Sequence, residues 1–138
     1  MSATLRERTV VLYAQFASGI FIFLGMIGLF KEHFAGFASS EGFELFRLRV
    51  NPLMCVIHLT VGLVGVAMAL TVSGARRFVL WTGVVGVPFA VLEFVLGDSD
   101  ADIFGRDGDV ALVQLAIAVI ALGVAWWTRP STVPAPAG

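Results

Sequence analysis

The chain has 138 residues, a mean hydropathy of +0.91 and only 14% charged residues. A water-soluble domain of this length needs more polar surface than this composition supplies, so the chain is predicted to be a membrane protein. A single cysteine, Cys55, excludes an internal disulfide, and no basic stripe of the kind that binds nucleic acid is present.

The first apolar run covers residues 10–30 and follows Arg6 and Arg8. It is longer than the apolar part of a typical signal peptide and long enough to cross a bilayer, so we expect a retained first helix. Steps of three and four place its small and aromatic residues on one helix face, with Gln15 beside them: Ala14, Ser18, Phe21, Gly25 and Gly28.

The second apolar run covers residues 51–72 and contains no Asp, Glu, Lys or Arg. The connection before it, residues 31–50, is predicted to lie at the membrane interface as a short amphipathic helix or an irregular segment. Steps of four and three place the polar and small residues of the second run on one helix face: Asn51, Cys55, His58, Gly62, Gly65 and Ala69. Small residues let helix backbones approach closely in lipid, so this face is predicted to pack against protein.

The third and fourth apolar runs cover residues 78–96 and 110–127. We expect a tight hairpin at residues 73–77, an acidic loop at residues 97–109 and a disordered tail at residues 129–138. Both runs repeat the small-residue pattern and are predicted to pack through it: Gly83, Gly86, Ala90, Glu93 and Gly97 in the third, and Ala111, Gln114, Ala118, Ala121 and Ala125 in the fourth. The predicted fold is an all-α integral membrane four-helix bundle of up-down-up-down topology, forming a single domain over residues 1–128.

Charge segregates between the two ends of this predicted bundle. The end with both termini carries five arginines against Glu7, whereas the other end carries three arginines and Lys31 against three glutamates and five aspartates. Short loops rich in arginine stay on the cytoplasmic side, and residues 73–77 contain Arg76 and Arg77. Both termini are therefore predicted to be cytoplasmic, with the protein in the plasma membrane. Aromatic residues expected at the same interface are Tyr13, Trp81, Trp126 and Trp127.

The second helix resembles a known signature. Its residues Asn51-Pro52-Leu53, His58-Leu59, Gly62-Leu63 and Gly65 are similar to a family of small, mostly actinobacterial four-helix membrane proteins classed as a domain of unknown function. The resemblance implies a fold and a membrane location, and it supplies no activity. Met54 and Cys55 stand where that family usually has His and Asn, and Gln114 is the nearest match to its second His. These departures argue against a two-histidine cofactor site.

Three polar residues form a candidate intramembrane polar cluster. His58, Glu93 and Gln114 all lie on the inward faces of their helices, roughly 5 to 10 Å from the same ends of the spans at 1.5 Å per residue. Lipid offers no hydrogen bonds, so the Glu93 carboxyl is expected to find a donor on the other two residues. Two interpretations remain open: hydrogen bonds that hold the bundle together, or a proton or cation site.

Metal chemistry has weaker support in the sequence. Cys55, His58 and Glu93 are acceptable ligand types, but no fourth ligand accompanies them. The loop from Asp98 to Asp109 begins like a calcium loop, yet Ile103 occupies the position where that loop needs glycine. No cofactor or metal is therefore predicted.

The sequence leads to three hypotheses about function. The first is a non-enzymatic scaffold or accessory subunit that acts through helix packing. The alternative is a proton or small-cation carrier or channel that uses Glu93 and His58, and a weaker one is a redox or metal-binding membrane protein. The expected partners are the lipid bilayer and either a larger membrane complex or a homo-oligomer, with no nucleic acid.

Overall fold

Within the described part of the chain, the fold is an all-α bundle of four helices with one pair of short antiparallel strands. A computed structural model describes residues 3–32, 43–45, 48–50, 52–96 and 108–129. The elements follow the order α1 (Ala3–Glu32), β1 (Phe43–Leu45), β2 (Leu48–Val50), α2 (Pro52–Met68), α3 (Val72–Leu96) and α4 (Gly108–Trp127). The predicted all-α class and the number of helices are confirmed. The predicted tail beyond Arg129, most of the acidic loop, and Asn51 lie outside the described residues.

The α2–α3 turn lies earlier in the chain than predicted. It occupies residues 69–71, and residues 73–77, predicted as a hairpin, are the first turns of α3. Thr71 explains the shift, because its Oγ1 accepts a hydrogen bond of 3.0 Å from the backbone N–H of Gly74 and so caps the helix start. Glycine is needed at position 74 because of a close contact. A side chain there would collide with the backbone carbonyl oxygen of Met68.

The connection before α2 also differs from the prediction. Within its described part, Phe43–Leu45 and Leu48–Val50 pair as antiparallel strands, with Phe43 opposite Val50 and Leu45 opposite Leu48. An amphipathic helix or irregular segment was expected here. Phenylalanine, leucine and valine suit short strands, and pairing lets each strand satisfy the backbone groups of the other. The remainder of residues 31–50 lies outside the described residues, apart from the end of α1.

The four helices associate as two close pairs. α1 packs most extensively on α2, and α3 on α4, while contacts between the pairs are sparser. Glycines bring the backbones together within each pair. A methyl group on Gly62 would lie 2.8 Å from the backbone nitrogen of Ile22 in α1, and one on Gly83 would lie 3.0 Å from that of Leu122 in α4.

An apolar core joins all four helices at the end of the bundle that holds the start of α1. The start of α1 meets the end of α2, the start of α3 and the second half of α4, as an up-down-up-down bundle requires. Its buried members are small or medium-sized, with one aromatic: Val10, Ala14, Ala17, Ala69, Ala75, Phe78, Val79 and Ala121.

Among the described residues, two helices are long and apolar enough to cross a membrane. They cover Leu5–Phe30 and Val72–Val95, whereas the apolar segments Pro52–Met68 and Ala111–Trp127 are shorter. The second predicted span, residues 51–72, is therefore longer than the helix it contains, because α2 ends at Met68. Length and composition thus support membrane crossing most directly for α1 and α3.

Candidate functional site

The candidate site is the polar cluster formed by His58, Glu93 and Gln114. Each residue comes from a different helix: His58 from α2, Glu93 from α3 and Gln114 from α4. The small residues that precede or follow each of them at helical spacing are also buried, so each polar side chain faces inward. Only 3% of the surface of His58, 5% of that of Glu93 and 8% of that of Gln114 is exposed.

Gln114 is the residue that links the other two. Its Nε2 lies 3.4 Å from Nε2 of His58 and donates to Oε1 of Glu93 over 3.5 Å. Both distances are at the long end for hydrogen bonds. A glutamine NH2 group carries two hydrogens, so it can serve both acceptors at once. The structure thus brings the three residues together, with Glu93 and His58 connected through an amide.

The tautomer of His58 follows from the orientation of the Gln114 amide. With the NH2 group of Gln114 toward the imidazole, Nε2 of His58 accepts and the ring proton lies on Nδ1. The opposite amide orientation would place the Gln114 oxygen against a carboxylate oxygen of Glu93, which is unfavourable when the carboxylate is ionised. Nδ1 of His58 is buried and has no hydrogen-bond partner among the described residues.

Phe21 of α1 completes the surroundings of His58. The two rings are stacked, with centroids 5.6 Å apart and an interplanar angle of 24°. Phe21 is itself buried. The site therefore involves all four helices: α2, α3 and α4 provide the polar groups, and α1 provides an aromatic ring that covers the imidazole.

The predicted packing residues that the structure describes lie at contacts between helices, most of them within the helix pairs. A side chain at Gly62 or at Gly65 would collide with Ser18 of α1. A side chain at Gly65 would also collide with Phe78 of α3. Gly86 faces Ala118 of α4, as a methyl group on it would lie 2.9 Å from the Ala118 Cβ. Cys55 is fully buried on the α2 face that contacts Gly25.

Within the described residues, no three His, Cys, Asp or Glu side chains lie close enough together to hold a metal ion. The weaker hypothesis was a metal site at Cys55, His58 and Glu93. The described residues do not group as ligands for such a site. The Asp98–Asp109 loop lies almost entirely outside the described residues, and its calcium-like pattern stays untested.

Two contacts of this region were not predicted from the sequence. Tyr13 was expected as an interfacial aromatic, but it is half-buried and its hydroxyl donates a 2.6 Å hydrogen bond to the carbonyl oxygen of Ile117 in α4. The stacking of Phe21 on His58 was also missed, although both residues were placed on inward faces. Helical periodicity identifies the inward face, but it does not say which residue of another helix lies opposite.

The fold and the site define a class of small all-α bundles in which a polar cluster connects helices whose packing faces consist of small residues. The chain belongs to the family DUF4383, a domain of unknown function, whose model matches residues 12–127. The match covers all three residues of the cluster, and the predicted resemblance to a domain-of-unknown-function family is confirmed. No curated protein and no solved structure matches the chain.

Proposed function

We propose that the protein is a four-span integral membrane protein of the plasma membrane, and that it acts as a non-enzymatic scaffold or accessory subunit through helix packing. The observation that carries this proposal is the distribution of side chains between interior and surface, which is the reverse of that in a water-soluble protein. Alanines, glycines and the polar cluster make up much of the interior, while many bulky apolar residues are exposed, among them Phe16, Phe23, Leu70, Trp81 and Val95. So many exposed bulky apolar side chains suit lipid and do not suit water.

The shorter helices fit this proposal. α2 has 17 residues and α4 has 20, which correspond to about 26 and 30 Å at 1.5 Å per residue. A hydrocarbon core is about 30 Å thick and thins locally around a short helix at modest cost. The position of α2 against α1 and the apolar exposed side chains of α4 support membrane crossing by both.

The accessory role is supported by the way the polar groups are used. Gln114 connects the imidazole of His58 with the carboxyl of Glu93, so polar groups that would be costly in lipid stabilise the bundle instead. Such interhelical hydrogen bonds average about 0.6 kcal/mol in membranes. The exposed faces of the helices remain for contact with lipid or with other membrane proteins.

Membrane location and orientation are tested together by cysteine labelling in intact cells. In a Cys55→Ser background, a cysteine introduced at Ser131 should react with an impermeant maleimide only after permeabilisation, whereas one at Ser99 should react in intact cells. Retention in the membrane pellet after an alkaline carbonate wash is the accompanying control. Release by carbonate would contradict membrane insertion, and the opposite labelling pattern would reverse the proposed cytoplasmic location of the termini.

A second candidate function is a proton or small-cation carrier, favoured by the convergence of Glu93, Gln114 and His58. Purified protein in liposomes with an internal pH dye tests it. A proton flux above that of empty liposomes, lost in Glu93→Gln and kept in Glu7→Gln, would support transport. No flux above empty liposomes in the presence of an imposed potential would remove this candidate and leave the accessory role.

A further inference from the structure

A groove lies between the starts of α1 and α3, at the end of the bundle that carries the excess of arginines. Its volume is about 420 Å³, within the roughly 300–1,000 Å³ typical of small-molecule sites. Two charged and three apolar residues line it: Glu7, Arg8, Val11, Leu12 and Val72. Leu12 is 64% exposed, so the groove opens onto the outer surface of the bundle.

The wall that α1 contributes to the groove is charged at its outer end and apolar further in. Val11 follows Glu7 by four residues, and Leu12 follows Arg8 by four, so each apolar side chain lies one helical turn below a charged one. The predicted span of α1 begins at residue 10, which places Arg8 about 3 Å outside it and Leu12 about 3 Å inside it at 1.5 Å per residue. In a bilayer the groove therefore lies across the boundary between headgroups and acyl chains.

The charged side chains of the groove are not neutralised by the rest of the described structure. Neither Glu7 nor Arg8 has a side-chain ion-pair or hydrogen-bond partner among the described residues. Consecutive residues of a helix do not face each other, so the carboxylate and the guanidinium are poorly placed to pair. The groove thus offers one anionic and one cationic group side by side, above an apolar wall.

We propose that this groove binds a phospholipid with a phosphoethanolamine headgroup, that is, phosphatidylethanolamine. The guanidinium of Arg8 binds the phosphate, and the carboxylate of Glu7 accepts hydrogen bonds from the ammonium group, which has three N–H donors. The first part of an acyl chain lies along Val11, Leu12 and Val72. The proposal rests on the membrane location proposed above.

Glu7 is the residue that selects an amine-bearing lipid. It is the only acid among the described residues at this end of the bundle, where Arg8 is accompanied by four further arginines. Arginines alone would favour any anionic lipid, but phosphatidylglycerol has no cation to place against the Glu7 carboxylate. Phosphatidylcholine has a cation, yet its methylated ammonium has no N–H to donate.

The test measures lipid binding to the full-length protein, freed of native lipid in detergent, by native mass spectrometry. Phosphatidylethanolamine, phosphatidylcholine and phosphatidylglycerol with identical acyl chains are titrated separately, and the dissociation constants of the first bound lipid are compared. Phosphatidylethanolamine is expected to bind most tightly, by roughly two- to fivefold, the effect of one partly exposed ion pair. Free phosphoethanolamine, which lacks acyl chains, is not expected to displace it.

Two substitutions separate the charges of the groove. Glu7→Gln is expected to reduce the affinity for phosphatidylethanolamine to that for phosphatidylcholine, without weakening phosphatidylglycerol. Arg8→Gln is expected to weaken all three lipids, because all three contain the phosphate. Arg77→Gln is the matched control and should leave the preference unchanged, since Arg77 is exposed at the same end and does not line the groove.

Leu12→Asn tests the apolar wall and is expected to weaken all three lipids. Leu80→Asn is its control, because Leu80 is 49% exposed on α3 and does not line the groove. Leu80 also lies two residues inside its predicted span, as Leu12 does. All of these variants change residues at least partly exposed, so each should keep the wild-type thermal midpoint in detergent.

The possible results separate the lipid site from the membrane location. Carbonate-resistant protein that binds the three lipids equally, or that keeps its preference in Glu7→Gln, would overturn the site and leave the membrane location intact. Equal losses in Arg77→Gln and Arg8→Gln would assign binding to the overall charge of this end, and displacement by free phosphoethanolamine would assign it to a soluble ligand; either would overturn the proposal. Protein released by carbonate would remove the membrane location itself.

Discussion

A methyl group on Gly25 of α1 would lie 2.6 Å from the carbonyl oxygen of Cys55 in α2, so the two helix backbones are in direct contact at this point. The same substituent would lie 2.7 Å from the backbone nitrogen of Leu59. Backbone atoms within a packed helix cannot move aside as a side chain can. The α1–α2 pair thus depends on the absence of a side chain at Gly25.

Gly25→Ala is therefore expected to destabilise the bundle, because the two helices must separate to accept the methyl group. The measurement is the thermal midpoint in detergent, read by size-exclusion chromatography of heated samples. Gly19→Ala in the same helix is the control, since its site is open and alanine has the higher helix propensity. An equal or higher midpoint for Gly25→Ala than for Gly19→Ala would refute direct backbone contact.

A larger effect is expected at the α2 positions. Leucine at Gly62 would meet the backbone nitrogen of Ile22 and the carbonyl oxygen of Ser18, and leucine at Gly65 would meet Ser18 and Phe78. Both variants are expected to lose the folded monomer peak at temperatures where Gly123→Leu keeps it, because no atom lies within 4 Å of the Cβ position of Gly123. Unchanged thermal stability in both would show that the inward face of α2 has been misassigned.

Gly86 allows a compensation experiment. A methyl group there would lie 2.9 Å from the Cβ of Ala118, while the Ala118 Cα is 3.9 Å away. Gly86→Ala is expected to lower the thermal midpoint, and Ala118→Gly is expected to restore part of the loss when the two are combined. The double-mutant cycle gives the coupling, expected at about 0.5–3 kcal/mol for residues in contact. Strict additivity would mean that α3 and α4 do not meet here.

Within the polar cluster, Gln114→Leu is expected to be the most damaging substitution, because it removes the donor shared by His58 and Glu93. Leaving the buried Nε2 of His58 without this partner is expected to cost about 1–3 kcal/mol. If the cluster is structural, His58→Leu should also loosen the bundle and Glu93→Gln should cost little. The free energy of unfolding, measured by titration of mixed micelles with denaturing detergent, compares the three. A wild-type value for Gln114→Leu would contradict the role of the amide as the link.

Tyr13→Phe tests the contact between α1 and α4. It removes the hydrogen bond to the Ile117 carbonyl and leaves the ring in place. The expected loss is about 1 kcal/mol of unfolding free energy. Thr60→Val is a suitable comparison, because the Thr60 hydroxyl is exposed and bonds only to the Val56 carbonyl within its own helix. If Tyr13→Phe lowers the unfolding free energy no more than Thr60→Val does, the Tyr13 hydroxyl does not stabilise the contact between α1 and α4.

The sequence predicted the inward faces well because small and polar residues recur at helical spacing throughout the apolar runs. Ser18 and Gly62 were both assigned to inward faces, and they lie in contact between α1 and α2. Periodicity did not reveal that Gly62 faces α1 while Gly65 also reaches Phe78 of α3, since these contacts depend on how the helices cross. The turn was misplaced because Arg76 and Arg77 indicated a loop, whereas capping by Thr71 determines where α3 begins.

The cluster itself was partly predictable. Depth and face together placed His58, Glu93 and Gln114 in one region, and the three are buried together. The order of the link was not predictable, because several arrangements of an acid, an imidazole and an amide satisfy the same constraints. Which residue takes the middle position depends on side-chain geometry that spacing does not encode.

The middle position of Gln114 has a consequence for how the chain can change during evolution. One NH2 group faces two acceptors from two other helices, so the three positions form a unit in which a change at one alters what the others tolerate. Among relatives, an apolar residue at the position of Gln114 is expected to coincide with loss of the acid at Glu93 or of the imidazole at His58. A residue that still donates hydrogen bonds, such as histidine or asparagine, is expected to let both persist. Drift at these three sites should therefore be joint, in contrast to the independent drift expected on the outward faces of the same helices.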